Sequence, residues 1–167
     1  AADRGPCFAQ PIEGDGVRLR PLRPDDRRAL VATGLPDEVP TVPGESVSLV
    51  IEWHGLVWSS RTGALQRTWL VVGHVAVTSP PPGSPAPVVV EAAWLAPSVR
   101  RTRCMIQCHL TLLDHAFAAG APSVAVEGLD PGRPADAVIV EAERWPVERA
   151  RLRVRIDEPV SRGDSRW

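Results

Sequence analysis

Apolar and polar side chains alternate along Val17-Arg18-Leu19-Arg20-Pro21-Leu22, the period of a strand with one buried face, and the proline confines that strand to a sheet edge or to its own end. Pro24-Asp25-Asp26 then predicts a helix start with an aspartate as cap, running towards Thr33 and Gly34. From Leu35 to Gly44 prolines and acids interrupt every regular pattern, so a connecting loop or short irregular helix is expected, a natural place for substrate-facing structure. Val47 to Trp53 and Trp69 to Thr78 are rich in β-branched and aromatic residues and read as strands, separated by a polar stretch with Gly55 and Gly63. The run Ser79-Pro80-Pro81-Pro82-Gly83-Ser84-Pro85 can form neither helix nor ladder.

Val88 to Leu95 is nearly all apolar and stops before Pro97, the pattern of a central strand covered on both faces. Between Thr102 and Gly120, Met105, His109, Leu112, Leu113, Ala116 and Phe117 recur at helical steps, and Gly120 with Pro122 marks the stop. Ser123 to Glu127 reads as a strand, Pro131 to Pro134 as a turn and Ala135 to Val140 as another strand; Val147 to Ile156 reads as a strand or a short helix ending in one. This order is a mixed α/β pattern in which residues 88–127 supply a parallel strand-helix-strand crossover. The expected organisation is a loose leader over residues 1–16, one domain over 17–157 and a tail over 158–167.

Composition narrows the partners. Nineteen basic and 20 acidic residues leave a net charge of -1, so no global field draws the chain to nucleic acid or an anionic membrane. No apolar run approaches the roughly 20 residues that cross a bilayer, and no basic segment followed by a hydrophobic stretch opens the chain, so a cytoplasmic protein without membrane contact is expected. Cys7, Cys104 and Cys108 are an odd number and read as reduced thiols. Cys104, Cys108 and His115 could share a helix face, but they lack a fourth ligand, and no metal site is expected. His54 and His74 read as structural residues of strands, and the six tryptophans as packing. All basic residues are arginine, and tyrosine and asparagine are absent, which excludes a lysine nucleophile or a tyrosine acid.

Trp94-Leu95-Ala96-Pro97-Ser98, continuing to Leu112-Leu113-Asp114-His115-Ala116-Phe117, resembles the central motif of the GCN5-related N-acetyltransferase (GNAT) superfamily in its ribosomal-protein-acetylating RimJ/RimL subgroup. Arg18-Leu19-Arg20-Pro21-Leu22 with Asp25-Asp26, Trp69 to Val77 with Gly73, and Glu143-Arg144-Trp145-Pro146 followed by Arg149 to Ile156 match further pieces of that family in the same order. The likeness spans residues 17–157 and implies a twisted, mostly antiparallel sheet with the central parallel crossover, shortened at its C-terminal part. It implies acetyl transfer from acetyl-coenzyme A to an amine, either a small molecule or a protein N-terminus, and a homodimer is the expected assembly.

In that family the central strand splays from its neighbour and offers backbone groups to the pantetheine arm, while a glycine turn and helix N-terminus hold pyrophosphate. The resemblance therefore assigns coenzyme contacts to Trp94, Leu95 and Ala96, and to Arg100, Arg101, Thr102, Arg103 and Cys104 in the loop. Arg101 and Arg103 stand where the family has glycines. Their side chains either fill the cradle or, with Arg100, grip phosphate by charge-assisted bonds. Glu91 is the candidate base that deprotonates the amine. The alternative reading is a catalytically inactive member of the fold that binds an anionic ligand or a partner chain.

Overall fold

The computed structural model describes residues 8–34, 46–99, 103–127 and 137–157. Strands β1 (Ile12–Glu13), β2 (Val17–Pro21), β3 (Ser46–Ser59), β4 (Ala64–Thr78), β5 (Val88–Leu95), β6 (Ser123–Glu127) and β7 (Ala137–Glu141) lie side by side in chain order in one sheet. All neighbours pair antiparallel except β5 with β6, which are parallel and joined by helix α2 (Cys104–Ala118). The expected α/β class, with a mostly antiparallel sheet and a parallel crossover, is thus the architecture found. Helix α1 (Asp26–Ala32) covers one face, with Leu30 packed on Val50, and α2 and α3 (Trp145–Asp157) cover the other.

Four expectations change. Residues 8–16, read as part of a loose leader, join the domain: Phe8 and Ile12 are buried in the main core and Ile12 pairs with Leu19. The polar stretch around Gly55 is strand, because β3 and β4 form one long hairpin whose turn lies at residues 60–63. The segment Val147 to Ile156 is helix: Trp145, Leu152 and Ile156, at seven- and four-residue steps, are what it packs against the core. Asp25 occupies the cap position of α1 without a side-chain cap bond. The turn expected at Pro131 to Pro134, the loop from Leu35 to Gly44 and the expected tail lie outside the described residues.

It is Asp26 that ties α1 down. Arg20 donates from Nη1 and Nη2 to the two Asp26 carboxylate oxygens at 2.7 Å each, and from Nε to Glu52 at 2.9 Å. Arg18 donates to the second Glu52 oxygen, and the Arg23 backbone N–H to Asp26 at 2.7 Å. The Arg20 hydrogen bond, helped by the Arg23 N–H, holds Asp26 below the usual carboxylate range. Burial alone would raise Glu52, but the bonds from Arg18 and Arg20 outweigh it and hold it low as well.

His109 lies buried on α2, and its Nε2 has no hydrogen-bond partner among the described residues. Burial disfavours the imidazolium and pushes its pKa down to about 4 from an ordinary 6.5. Above the ordinary value both folded and unfolded chains hold a neutral ring; below it only the unfolded chain takes up the proton, so stability falls with pH down to the folded value. Urea unfolding should therefore give about 2 kcal/mol less stability near pH 5 than near pH 7. His109→Leu should remove that difference, and an equal loss in the variant would assign it to other groups.

Candidate active site

The candidate site is built by two irregularities on either side of β5. On the β4 side, Val89, Val90 and Glu91 pair with Thr78, Val77 and Ala76, whereas Trp94 and Leu95 pair with His74 and Gly73. Two residues of β5, Ala92 and Ala93, therefore oppose Val75 alone, which is a β-bulge. The bulge corrects the alternation so that Glu91 and Trp94 point to the same face, the one covered by α1, although they are three apart in sequence. No periodicity argument could locate that extra residue.

On the β6 side, parallel pairing runs only from Val88 opposite Val124 to Val90 opposite Val126. The remaining five residues of β5, Glu91 to Leu95, continue along β4 alone among the described strands. The ladder between the two parallel strands ends at Val90, one residue before the described end of β6 at Glu127, and no described strand pairs with that edge of β5 beyond it.

The open end is fixed on its β4 side by backbone bonds. The Ala96 N–H donates to the Val72 carbonyl at 2.7 Å, and the Ala96 carbonyl accepts the Val99 N–H at 3.0 Å as the chain turns through a single 3₁₀ turn at Pro97–Val99. Gly73 is required here: a Cβ at that position would stand 2.2 Å from the Trp94 carbonyl oxygen and 2.8 Å from Leu95 Cδ2. Helix α2 then begins at Cys104, with Arg103 at its cap and no acidic residue in its first turn, so its own side chains leave the positive end of the helix dipole without a carboxylate.

The predicted residues divide as follows. Glu91, Trp94, Leu95 and Ala96 come together along one strand, with Glu91 half-buried, Leu95 and Ala96 buried, and Trp94 packed against both clusters of the core. Both backbone groups of Ala96 already have partners. Arg103 stands at the mouth of α2, while Arg100, Arg101 and Thr102 lie outside the described residues. The Cys104 side chain is buried in the core, and burial pushes its thiol up to about 12; Cys108 rises further, with burial the main cause and the neighbouring thiol the second. Both are therefore protonated near neutrality and are not nucleophiles. His54 stacks on Trp69 at 4.9 Å and His115 packs on Phe8 at 5.2 Å.

Sequence reasoning missed two features. One is the bulge; the other is a cavity of about 310 Å³ between β1, α2 and α3, lined among others by Glu13, Asp15, Thr111, Asp114 and Arg153. None of the predicted site residues that are described lines it. No described helix is long and apolar enough to cross a membrane.

Neither a known protein-family profile nor a curated protein sequence matches the chain. Solved structures do. A GCN5-related N-acetyltransferase from Brucella melitensis superposes with a TM-score of 0.62 at 13% identity, covering 90% of this chain and 87% of that one. RimJ from Mycobacterium smegmatis, solved in complex with CoA-disulfide, gives 0.57 at 17% identity over 90% and 94%. A GNAT-family protein from Chromobacterium violaceum gives 0.55 at 15% identity over 92% and 75%. At these identities the shared property is the fold: this chain has the GNAT fold.

Proposed function

We propose that the chain transfers an acetyl group from acetyl-coenzyme A to an amine, either a small molecule or a protein N-terminus as in the RimJ/RimL subgroup. The observation that carries this reading is the end of the β5–β6 ladder at Val90, which leaves the last five residues of β5 without a described partner on that side before the chain turns towards α2. A strand edge without a ladder offers N–H and C=O groups at regular spacing, which suits the amides of a pantetheine arm. The helix start and the arginines around it suit the pyrophosphate.

On this reading Trp94 and Leu95 hold the acyl and pantetheine portion through their backbone, with the Ala96 carbonyl beside them. Arg100, Arg101, Thr102 and Arg103, with the backbone at Cys104, meet the phosphate charge. Glu91 accepts the proton of the amine, directly or through water, as its nitrogen attacks the thioester carbonyl; the C–S bond then breaks and the sulfur leaves as the thiolate of the coenzyme. No tyrosine exists to protonate that sulfur. Positioning of the two substrates beside each other supplies much of the remaining acceleration.

Glu91→Gln keeps size and hydrogen bonding but removes the base. Thiol release from acetyl-coenzyme A with an amine or N-terminal peptide acceptor should fall about 10²-fold or more, with little change in coenzyme affinity. Unchanged turnover would remove Glu91 from the mechanism.

A further inference from the structure

Beyond the reach of β2 and β5, strands β3 and β4 run on as a two-stranded ribbon: from Gly55 opposite Thr68 out to Ser59 opposite Ala64 no third described strand accompanies them. Directly paired residues share a face, so Trp58 and Leu65 lie side by side, with Leu56, Arg67 and Trp69 on the same face. Trp58 is 63% and Leu65 61% exposed. The opposite face carries Gln66 and Thr68. A ribbon with one apolar face and no core beneath it is marginal alone, and its two tryptophans and two leucines make an apolar patch on the order of 400 Å². Its only charged residues, Arg61 and Arg67, are both positive.

The far end of the sheet presents the converse on the same side. Along β7, Val138 and Val140 turn towards the α2 face, so Ile139 points away from it, as Val50 and Trp58 do along β3. Ile139 is 58% exposed and shares its face with Glu127 and Glu141, which are also exposed. No ion pair among the described residues holds Arg61, Arg67, Glu127 or Glu141.

We infer that the β3–β4 ribbon is a dimerisation arm whose occupant is a second copy of this chain: the basic, apolar arm of each protomer lies on the acidic, apolar β6–β7 face of the other. A two-fold axis makes the contact reciprocal and closes the assembly. Each copy then buries its arm together with Ile139, Glu127 and Glu141 of the other, more than the arm alone would supply, towards the roughly 800 Å² per partner of a stable interface. An anionic membrane or an unrelated acidic protein accounts for the arm and leaves the matching β6–β7 face without a role.

Sedimentation velocity on the wild type and two charge-reversal variants tests this. The wild type should dimerise at micromolar concentration. Arg61→Glu/Arg67→Glu and Glu127→Arg/Glu141→Arg should each raise the dissociation constant about tenfold or more, because each alone sets like charges against one another. An equimolar mixture of the two variants should dimerise again, since both contacts of the mixed dimer then join opposite charges. All four substituted side chains are at the surface, so unchanged circular dichroism and melting should accompany these results. A wild type that stays monomeric, with or without sedimenting on phosphatidylserine vesicles, overturns the inference, as does a dimer unmoved by both variants or a mixture that fails to associate.

Discussion

Gly73→Ala should destabilise the fold by about 3 kcal/mol and, on the function proposed above, abolish binding of acetyl-coenzyme A. The new methyl would stand 2.2 Å from the Trp94 carbonyl oxygen, 2.8 Å from Leu95 Cδ2 and 3.3 Å from Ile51 Cδ1. The first of these atoms belongs to the backbone and cannot rotate away, so the end of β5 has to move off β4. That movement breaks the pairing of Gly73 with Leu95 and strains the Ala96 bond to Val72, the two contacts that fix the open end of the slot. Overpacked sites commonly cost 1–3 kcal/mol, and a strand pushed out of its ladder belongs at the upper end. Chemical denaturation measures the loss; a variant as stable as the wild type would show that the two strands do not approach as closely as described.

Arg20→Met should cost a further class of energy, about 3 kcal/mol, through charge instead of shape. Its guanidinium serves two carboxylates whose side chains are only 10% and 11% exposed, Asp26 and Glu52. Methionine fills much of the same volume but leaves Asp26 with the Arg23 N–H and Glu52 with Arg18. Arg20→Lys keeps the charge and loses the two-pronged bond to Asp26, so it should fall between the two. The pH dependence identifies the mechanism. Because Asp26 and Glu52 are held below their ordinary values, the stability they contribute is present above about pH 4.5 and is lost as pH falls through their folded values. The gap between wild type and Arg20→Met should therefore be widest near neutrality and shrink as pH falls towards the folded values, where both carboxyls take up protons. A gap independent of pH would mean that packing of the arginine stem, and not its charge, is what the variant removes.

How much of this was legible in the sequence depended on whether burial leaves a periodic trace. The strand at Ser123–Glu127 was readable to the residue, and α2 nearly so, because each packs a patterned face on the core and ends at glycine or proline. The outer half of the β3–β4 hairpin was missed because its tip has no core below it, so Gln66, Arg67 and Thr68 carry no alternation to read. Helix α3 was ambiguous between a strand and a short helix because Val147, Leu152, Val154 and Ile156 look β-like locally, whereas the residues that anchor it are Trp145, which bonds Asp114 at 3.0 Å, and Leu152 seven residues on. The end of β5 was legible through the Trp94-Leu95-Ala96-Pro97 motif. The bulge at Ala92 and Ala93 was not, since two small residues in an apolar run give no sign of which is extra. The Arg18 to Glu52 contact joins residues 34 apart, a separation that one sequence cannot reveal.

The central claim is that the gap between β5 and β6 beyond Val90 receives an acyl-coenzyme A. Titration of isotopically labelled wild-type protein with acetyl-coenzyme A, followed through its backbone amide resonances, addresses it most directly. The account expects saturable binding in the micromolar range, with the largest shifts at Trp94, Leu95 and the first turn of α2. Amides that stay unmoved at millimolar ligand, or shifts confined to the cavity between β1, α2 and α3, would contradict it and leave a protein that has the fold of an acetyltransferase without its chemistry.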